Sequence, residues 1–394
     1  MTSRIRQMLP YVGRRGREDR EPGGFWRGLF GGTFAAVSLF AMVATAIALA
    51  PWPSRDVHRP TSVRGIFHVH AEESHDGFGT LDEAALAAHE SGARFVVLTE
   101  HNVLRPEKPE RREGVLVVPG IEISSAHGHV IAVGVAAAPK DRGPGVLESI
   151  RREGGAAILA HPVNRKRPWT DPSTHGFAGF EGLSLDSALR DALAGGWGRL
   201  GLAGAALAGD RRKAGALLLE RPDAALARYD ELVGARDEPL ALLCGVDAHG
   251  LPPYDVSFGA LALHVRIGPA ALATWGRDDG ADSAAVVRAI RRAEIHCSVP
   301  ALGDAGAFDF RAVGGDLLAQ VPRDDVTIVL LRDGAEAFRA QGPRVRVPRL
   351  PGDWRAEVWV EGAFPFGGDR LWIASSSLRI PADDAGPAST PSPD

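Results

Sequence analysis

From about residue 64 the chain alternates short apolar runs with polar, helix-compatible stretches. The runs are GIFHVH, FVVLT, VLVVPGIEI, HVIAVGV, AAILAH, GFEGLSL and ALLCGVD. They are rich in Val, Ile, Leu and Ala and do not alternate strictly. That is the texture of strands buried on both faces of a parallel sheet. The clearest helix opens at Thr80, where TLDE pairs Thr80 with Glu83 in a capping box, and closes near Gly92. Strand and helix in turn predict an α/β fold. Residues 185–240 read as an Ala/Leu/Arg-rich helical insertion before the last run. From 296 to 380 the texture changes to short, partly alternating strands such as VTIVLLRDG, WRAEVWVEG and LWIASSSLRI, which predict a small antiparallel β-domain. Residues 381–394, PADDAGPASTPSPD, have the composition of a disordered tail.

Ahead of the first strand, residues 28–50 contain no ionisable side chain. Such a run matches the roughly 30 Å of a bilayer core. Trp26 and Trp52 flank it, and Arg4, Arg6, Arg14, Arg15, Arg17, Arg20 and Arg27 precede it. The expectation is a single-pass transmembrane helix, with a basic cytoplasmic N-terminus (1–27), a Pro-containing linker (51–63) and the remainder extracytoplasmic, or periplasmic. A cleaved signal peptide is the rival reading. The run is long for one, and Pro51 follows ALA poorly as a cleavage point.

Composition removes several classes. A net charge of -4 offers no basic field, so no nucleic-acid polymer is expected as partner. Cys244 and Cys297 are the only cysteines, which excludes a thiolate zinc finger and a disulfide scaffold. One disulfide and a buried free thiol both remain open for them. Any metal must therefore be held by imidazole and carboxylate.

Those residue types gather where the apolar runs end. His68 and His70 close the first, and Asp76 follows in SHDG. His101 lies in TEHN, Glu122 in PGIEIS, His129 opens HVIAVG, His161 ends AAILAHP, and Asp247 and His249 form DAH. Side chains just past the C-termini of parallel strands converge on one face, so these positions can meet. Mixed imidazole and carboxylate sets suit Zn, Mn or Fe.

In this order the motifs resemble the PHP (polymerase and histidinol phosphatase) metal-dependent phosphoesterases, over roughly residues 64–260. The resemblance rests on H-x-H at 68 and 70, DG at 76, TEHN at 99–102, GIEIS at 120–124, GHVIAVG at 128–134, AHP at 160–162 and DAH at 247–249. It implies a distorted, seven-stranded (β/α) TIM-like barrel over residues 64–295, with two or three divalent metal ions in its mouth. By position, His68, His70, Glu122 and Asp247 would hold one ion. Glu122, His129 and His161 would hold a second, with Glu122 bridging. Asp76, His101 and His249 would hold a third. Glu122, Asp247 and His249 would carry the catalytic role. SHDG stands where the family often has SDG, so His75 competes with Asp76; His127 likewise competes with His129. Glu100, in TEH where TDH is more usual, is expected not to be a ligand.

The implied activity is hydrolysis of a small-molecule phosphoester, a phosphorylated metabolite or nucleotide, by metal-activated water. Arg165, Lys166 and Arg167, in NRKRPW after the AHP motif, are the candidates to grip the phosphate, with Arg105 as another. Two other functions remain in view: hydrolysis of an amide or lactone on the same metals, and a non-enzymatic binding protein of the cell envelope.

Overall fold

The computed structural model describes residues 23–50, 61–362 and 368–384, with side chains from Thr33 and from residue 35 onward. Most of the predicted N-terminal segment and linker, and the tail from 385, lie outside the described residues. The chain divides after Val43, and Ala44–Asp394 form the unit that carries the sheets and the site.

Helix α1 (Gly23–Leu49) precedes strand β1 (Ser62–Val69). The next part runs α2 (Leu81–Glu90), β2 (Phe95–His101), β3 (Glu110–Arg112), β4 (Val115–Ser125), β5 (Gly128–Val133), α3 (Val146–Arg152), β6 (Ala156–Leu159) and β7 (Gly179–Ser184). The insertion supplies α4 (Leu185–Gly195), α5 (Trp197–Ala208), α6 (Ala214–Leu218) and α7 (Asp223–Gly234) before β8 (Ala241–Gly245). Then come α8 (Tyr254–Phe258), β9 (Ala262–Arg266), α9 (Pro269–Thr274), α10 (Asp279–Arg291) and β10 (Ile295–Ser298). The C-terminal strands are β11 (Asp309–Val313), β12 (Asp316–Gln320), β13 (Val326–Arg332), β14 (Ala335–Gln341), β15 (Arg344–Pro348), β16 (Gly352–Val360), β17 (Arg370–Ser375) and β18 (Leu378–Ile380).

The expected fold of seven parallel strands with a separate β-domain and a transmembrane helix is corrected on each count. One mixed sheet of 15 strands runs β14-β13-β16-β17-β10-β9-β1-β2-β4-β5-β6-β7-β8, with β3 and β18 at its sides. The pairs β1–β2, β2–β4, β6–β7 and β7–β8 are parallel; β4–β5, β5–β6 and β1–β9 are antiparallel. For β4 and β5 the reason is connection length. A parallel crossover needs a dozen or more residues, whereas β4 reaches β5 through a tight turn that pairs Ser125 with Gly128. The late strands β13, β14, β16 and β17 extend the same sheet through β10, and only β11, β12 and β15 form a small antiparallel sheet of their own. At the other end, β8 returns toward β1. The Val246 N–H donates to Phe67 O, and the His70 N–H donates to Ala248 O.

The membrane expectation is also corrected. Among the described residues, no helix is long and apolar enough to cross a membrane. With the span go the anchor, the cytoplasmic N-terminus and the extracytoplasmic placement that were read from it. The end of the apolar run faces protein: Ala44 and Ile47 are buried. The Lys213 ammonium donates to the carbonyls of Ile47 at 2.8 Å and Ala50 at 2.6 Å, capping the last turn of α1.

Local expectations fare better. The Thr80 N–H donates to Glu83 at 2.7 Å and the Glu83 N–H to Thr80 at 3.2 Å, so the capping box starts α2. Residues 185–240 are helical, as their Ala/Leu pattern predicts. Cys244 and Cys297 form a disulfide between β8 and β10, with Cα atoms 5.7 Å apart.

Candidate metal centre

The candidate ligands meet at one edge of the sheet. C-terminal ends of β1, β2 and β8 point there, and β5, being antiparallel to β4, presents its N-terminal His129 at the same edge. Register does the rest. His101 is the neighbour of Glu122 across β2 and β4, and its Nδ1 lies 3.1 Å from Glu122 Oε2. In β1 the register slips between Phe67 and Val69, so His68 forms a bulge with φ of 67°. A bulge re-aims a side chain. Here it brings the His68 imidazole into the same space as His70.

Glu122 is the hub, fully buried on β4. Its Oε1 accepts from His129 Nδ1 at 2.7 Å and lies 3.3 Å from His161 Nε2. Its Oε2 lies 3.3 Å from both His68 Nε2 and His70 Nε2. Asp247 Oδ1 stands 3.3 Å and 3.2 Å from those same two nitrogens. Yet His68 Nε2, His70 Nε2 and Glu122 Oε2 are buried without a hydrogen bond of proper geometry. Two ligands held 2.0–2.1 Å from one ion at the tetrahedral angle sit about 3.4 Å apart. The spacing and the orphaned atoms both fit a cation between them. Three buried or half-buried groups can hold a metal ion: His68, His70, Glu122 and Asp247; Glu122, His129 and His161; and His70, His101 and His249.

The other groups fix tautomers and orientation. The His68 Nδ1–H donates to Glu181 Oε2 at 2.7 Å, leaving Nε2 bare toward the centre. His70 Nδ1–H donates to Ser74 Oγ at 3.2 Å, and the Ser74 hydroxyl in turn donates to Glu100. Glu100 also accepts from the Ala71 N–H, so it is buried but spent on positioning, as a non-ligand should be. His249 Nδ1–H donates to the Asp247 carbonyl at 2.9 Å. His68, His161 and Asp247 all carry positive φ, as does Asn102, whose side-chain oxygen accepts from the Ser124 N–H. Such backbone costs about 1–3 kcal/mol per residue and clusters at functional sites.

Without a metal the charges settle among themselves. Burial disfavours a charged His68, but the carboxylates of Asp247, Glu181 and Glu122 outweigh it and hold its pKa well above the ordinary value. His70 is likewise buried and yet raised to about 9 by Asp247 and Glu122. His161 is raised against burial by Glu122. Glu122 and Asp247 are held far below the carboxylate range, burial being overcome chiefly by the His68 charge. Burial pushes His101 down to about 4, Glu122 opposing and the His70 charge adding to it.

Eight of the nine residues named from the sequence have ligand atoms in the three groups. Asp76 stands beside them, with Oδ2 3.5 Å from His101 Nε2 and 3.6 Å from His249 Nε2. In the third group His70 occupies the place expected for Asp76. His75 is 78% exposed and approaches Asp76 at 3.7 Å. His127 turns away toward Thr170 and Trp169. Arg165 lines a cavity of about 530 Å³ that reaches His161 and Glu181, whereas Lys166 and Arg167 lie outside that lining. Arg105 is engaged with Glu107.

No family model matches the chain, and no curated protein matches it at a significant level.

Glu181 was missed in the sequence. Its signal was a lone carboxylate within the otherwise apolar strand GFEGLS, where a buried acid must have a partner. Gly245 makes room for it: a Cβ there would lie 2.5 Å from the Glu181 carboxylate carbon.

Proposed function

We propose that the chain is a metal-dependent phosphoesterase that hydrolyses a small phosphorylated molecule with activated water. The observation that carries this is Glu122, whose two oxygens face two different histidine groups. A carboxylate so placed suits adjacent ions, and paired ions favour in-line displacement at phosphorus. The donors are imidazole and carboxylate without thiolate, which suits two or three ions of Zn, Mn or Fe. The motif order by which the sequence resembles the PHP phosphoesterases supports the same reading.

Divalent ions at these residues would supply Lewis acidity, making water nucleophilic near neutral pH and neutralising charge on phosphoryl oxygens. The chain's own part is positional. Glu181, Ser74 and the Asp247 carbonyl hold His68, His70 and His249 with their Nδ1 protons outward from the centre. Asp76 is the most exposed carboxylate beside the histidines, so it faces the side from which substrate enters. Arg165 is exposed, lines the adjoining cavity and suits a phosphate oxygen through its planar fork of donors.

The test is elemental analysis of the full chain purified without chelator, beside Asp247→Ala/His249→Ala, followed by a phosphoester screen. About two or three metal equivalents, sharply reduced in the variant, with turnover of a phosphate monoester, is the expected result. A well-folded chain that stays metal-free after reconstitution refutes the hydrolase. A loaded chain that cleaves amides or lactones and no phosphoester assigns the other chemistry.

A further inference from the structure

The helical insertion and the C-terminal strands contribute no residue to the three metal-binding groups. What they share is a wall. The cavity of about 530 Å³ opens beside His161 and Glu181 and is enclosed by Ala188 of α4 and Leu219 after α6 on one side, and by Trp359 of β16 and Leu371 of β17 on the other. We propose that this cavity is the pocket for the leaving alcohol of the substrate, which is a phosphoester of a bulky, largely apolar alcohol with an anionic or acceptor group at its far end. The inference rests on the phosphoesterase reading above and names its substrate class.

Volume argues for bulk. Pockets for small organic ligands run from about 300 to 1,000 Å³, and a phosphate on a short alcohol would leave this one largely empty. Wall chemistry argues for the apolar body, since leucines and alanines face the space from the insertion and the sheet. Two features argue for the far-end acceptor. The Trp359 Nε1–H is buried and has no acceptor among the described residues. A buried donor in that state is costly until a ligand or water completes it. Arg199 and Arg370 lie side by side, one donating to the Leu218 carbonyl at 2.9 Å and the other to the Leu219 carbonyl at 3.3 Å. Glu220 approaches Arg199 at 3.3 Å and offsets part of this charge. Both guanidinium groups line the cavity, and their charge favours an anionic or acceptor group beside them. The insertion thus acquires a role that its sequence pattern did not show: it selects what is attached to the phosphate.

The test uses the full, metal-loaded chain and 8-anilinonaphthalene-1-sulfonate as an apolar anionic probe, followed by its fluorescence. Expected is one saturable site from which 1-naphthyl phosphate displaces the probe far better than methyl phosphate. Ala188→Trp, which fills the cavity, should weaken probe binding at least tenfold. Trp359→Phe, which removes only the N–H, should weaken it about threefold to tenfold. Metal content and circular dichroism report whether each variant has folded. In the hydrolysis assay, Ala188→Trp should lower the ratio of kcat/KM for 1-naphthyl phosphate over methyl phosphate by about the same factor as the probe. Probe binding and ratio both indifferent to Ala188→Trp overturn the pocket while leaving the phosphoesterase intact. Probe binding lost in Ala188→Trp, with no phosphoester cleaved by the loaded wild type, keeps the pocket and overturns the phosphoesterase.

Discussion

Glu181 binds no cation in the arrangement above, yet the geometry makes it decisive for the centre. Its carboxylate and the His68 imidazole are both fully buried and 2.7 Å apart. Glu181→Ala leaves the His68 Nδ1–H with no acceptor and frees the ring to turn. Loss of such an outer partner typically costs 10–100-fold in metal affinity, or about 1.4–2.7 kcal/mol. Glu181→Gln keeps an acceptor but gives up the charge. A charge-assisted bond is roughly twice a neutral one, so its loss should lie near the tenfold end. The sign with pH adds a second check. Glu181 also helps hold a proton on His68 in the metal-free state, and that proton competes with the ion. Removing the carboxylate eases this competition at low pH and only weakens the ligand at high pH. The deficit of Glu181→Gln should therefore be larger at pH 8.5 than at 6.5. The assay is competition against a chelator of known affinity, with melting curves to confirm folding. Wild-type affinity in both folded variants at both pH values would refute the reasoning.

Metal binding should release protons, because ligating imidazoles must be neutral while His70 holds its proton up to about 9. Affinity should climb about tenfold per pH unit for each proton released, flattening near pH 9; a pH-independent Kd between 6.5 and 8.5 contradicts this. His264 and His296 stack with ring centroids 4.5 Å apart, and burial depresses both, His296 to about 3. The unfolded chain then binds protons below about pH 6.5 that the folded chain refuses, so stability falls as pH drops through that window. Each should cost about 1.4 kcal/mol at pH 5.5 relative to 7.5. Denaturant unfolding in chelator, wild type beside His296→Asn, reads the difference in slope, and equal slopes dispose of the idea. The disulfide closes a 53-residue separation, for which chain entropy gives up to about 4 kcal/mol. Reductant should lower Tm in the wild type and not in Cys244→Ala/Cys297→Ala; an unchanged wild-type Tm denies the bond.

What the sequence by itself determined is the chemistry. Dense imidazoles and carboxylates at the ends of apolar runs, with no thiolate to share the task, already point to residues able to hold a metal ion and name the nine positions to examine. Local signals were as readable, because they are set within a few residues: the Thr80 capping box and the helical insertion. Only the tertiary structure decided what depends on pairing and on distant neighbours. Strand direction follows from turn length and from what each strand finds beside it, so apolar runs of one texture became parallel in β2 and antiparallel in β5. The apolar run before β1 says nothing of Lys213, which lies more than 160 positions along and meets its last carbonyls. His129, opening its apolar run, was already the choice over His127, but finding Glu181 required knowing that β7 passes behind His68. The cavity needed two segments that no pattern in the chain connects. Residue types carry the chemistry, but which of them touch is set by register and packing, and these exist only once the chain has closed on itself.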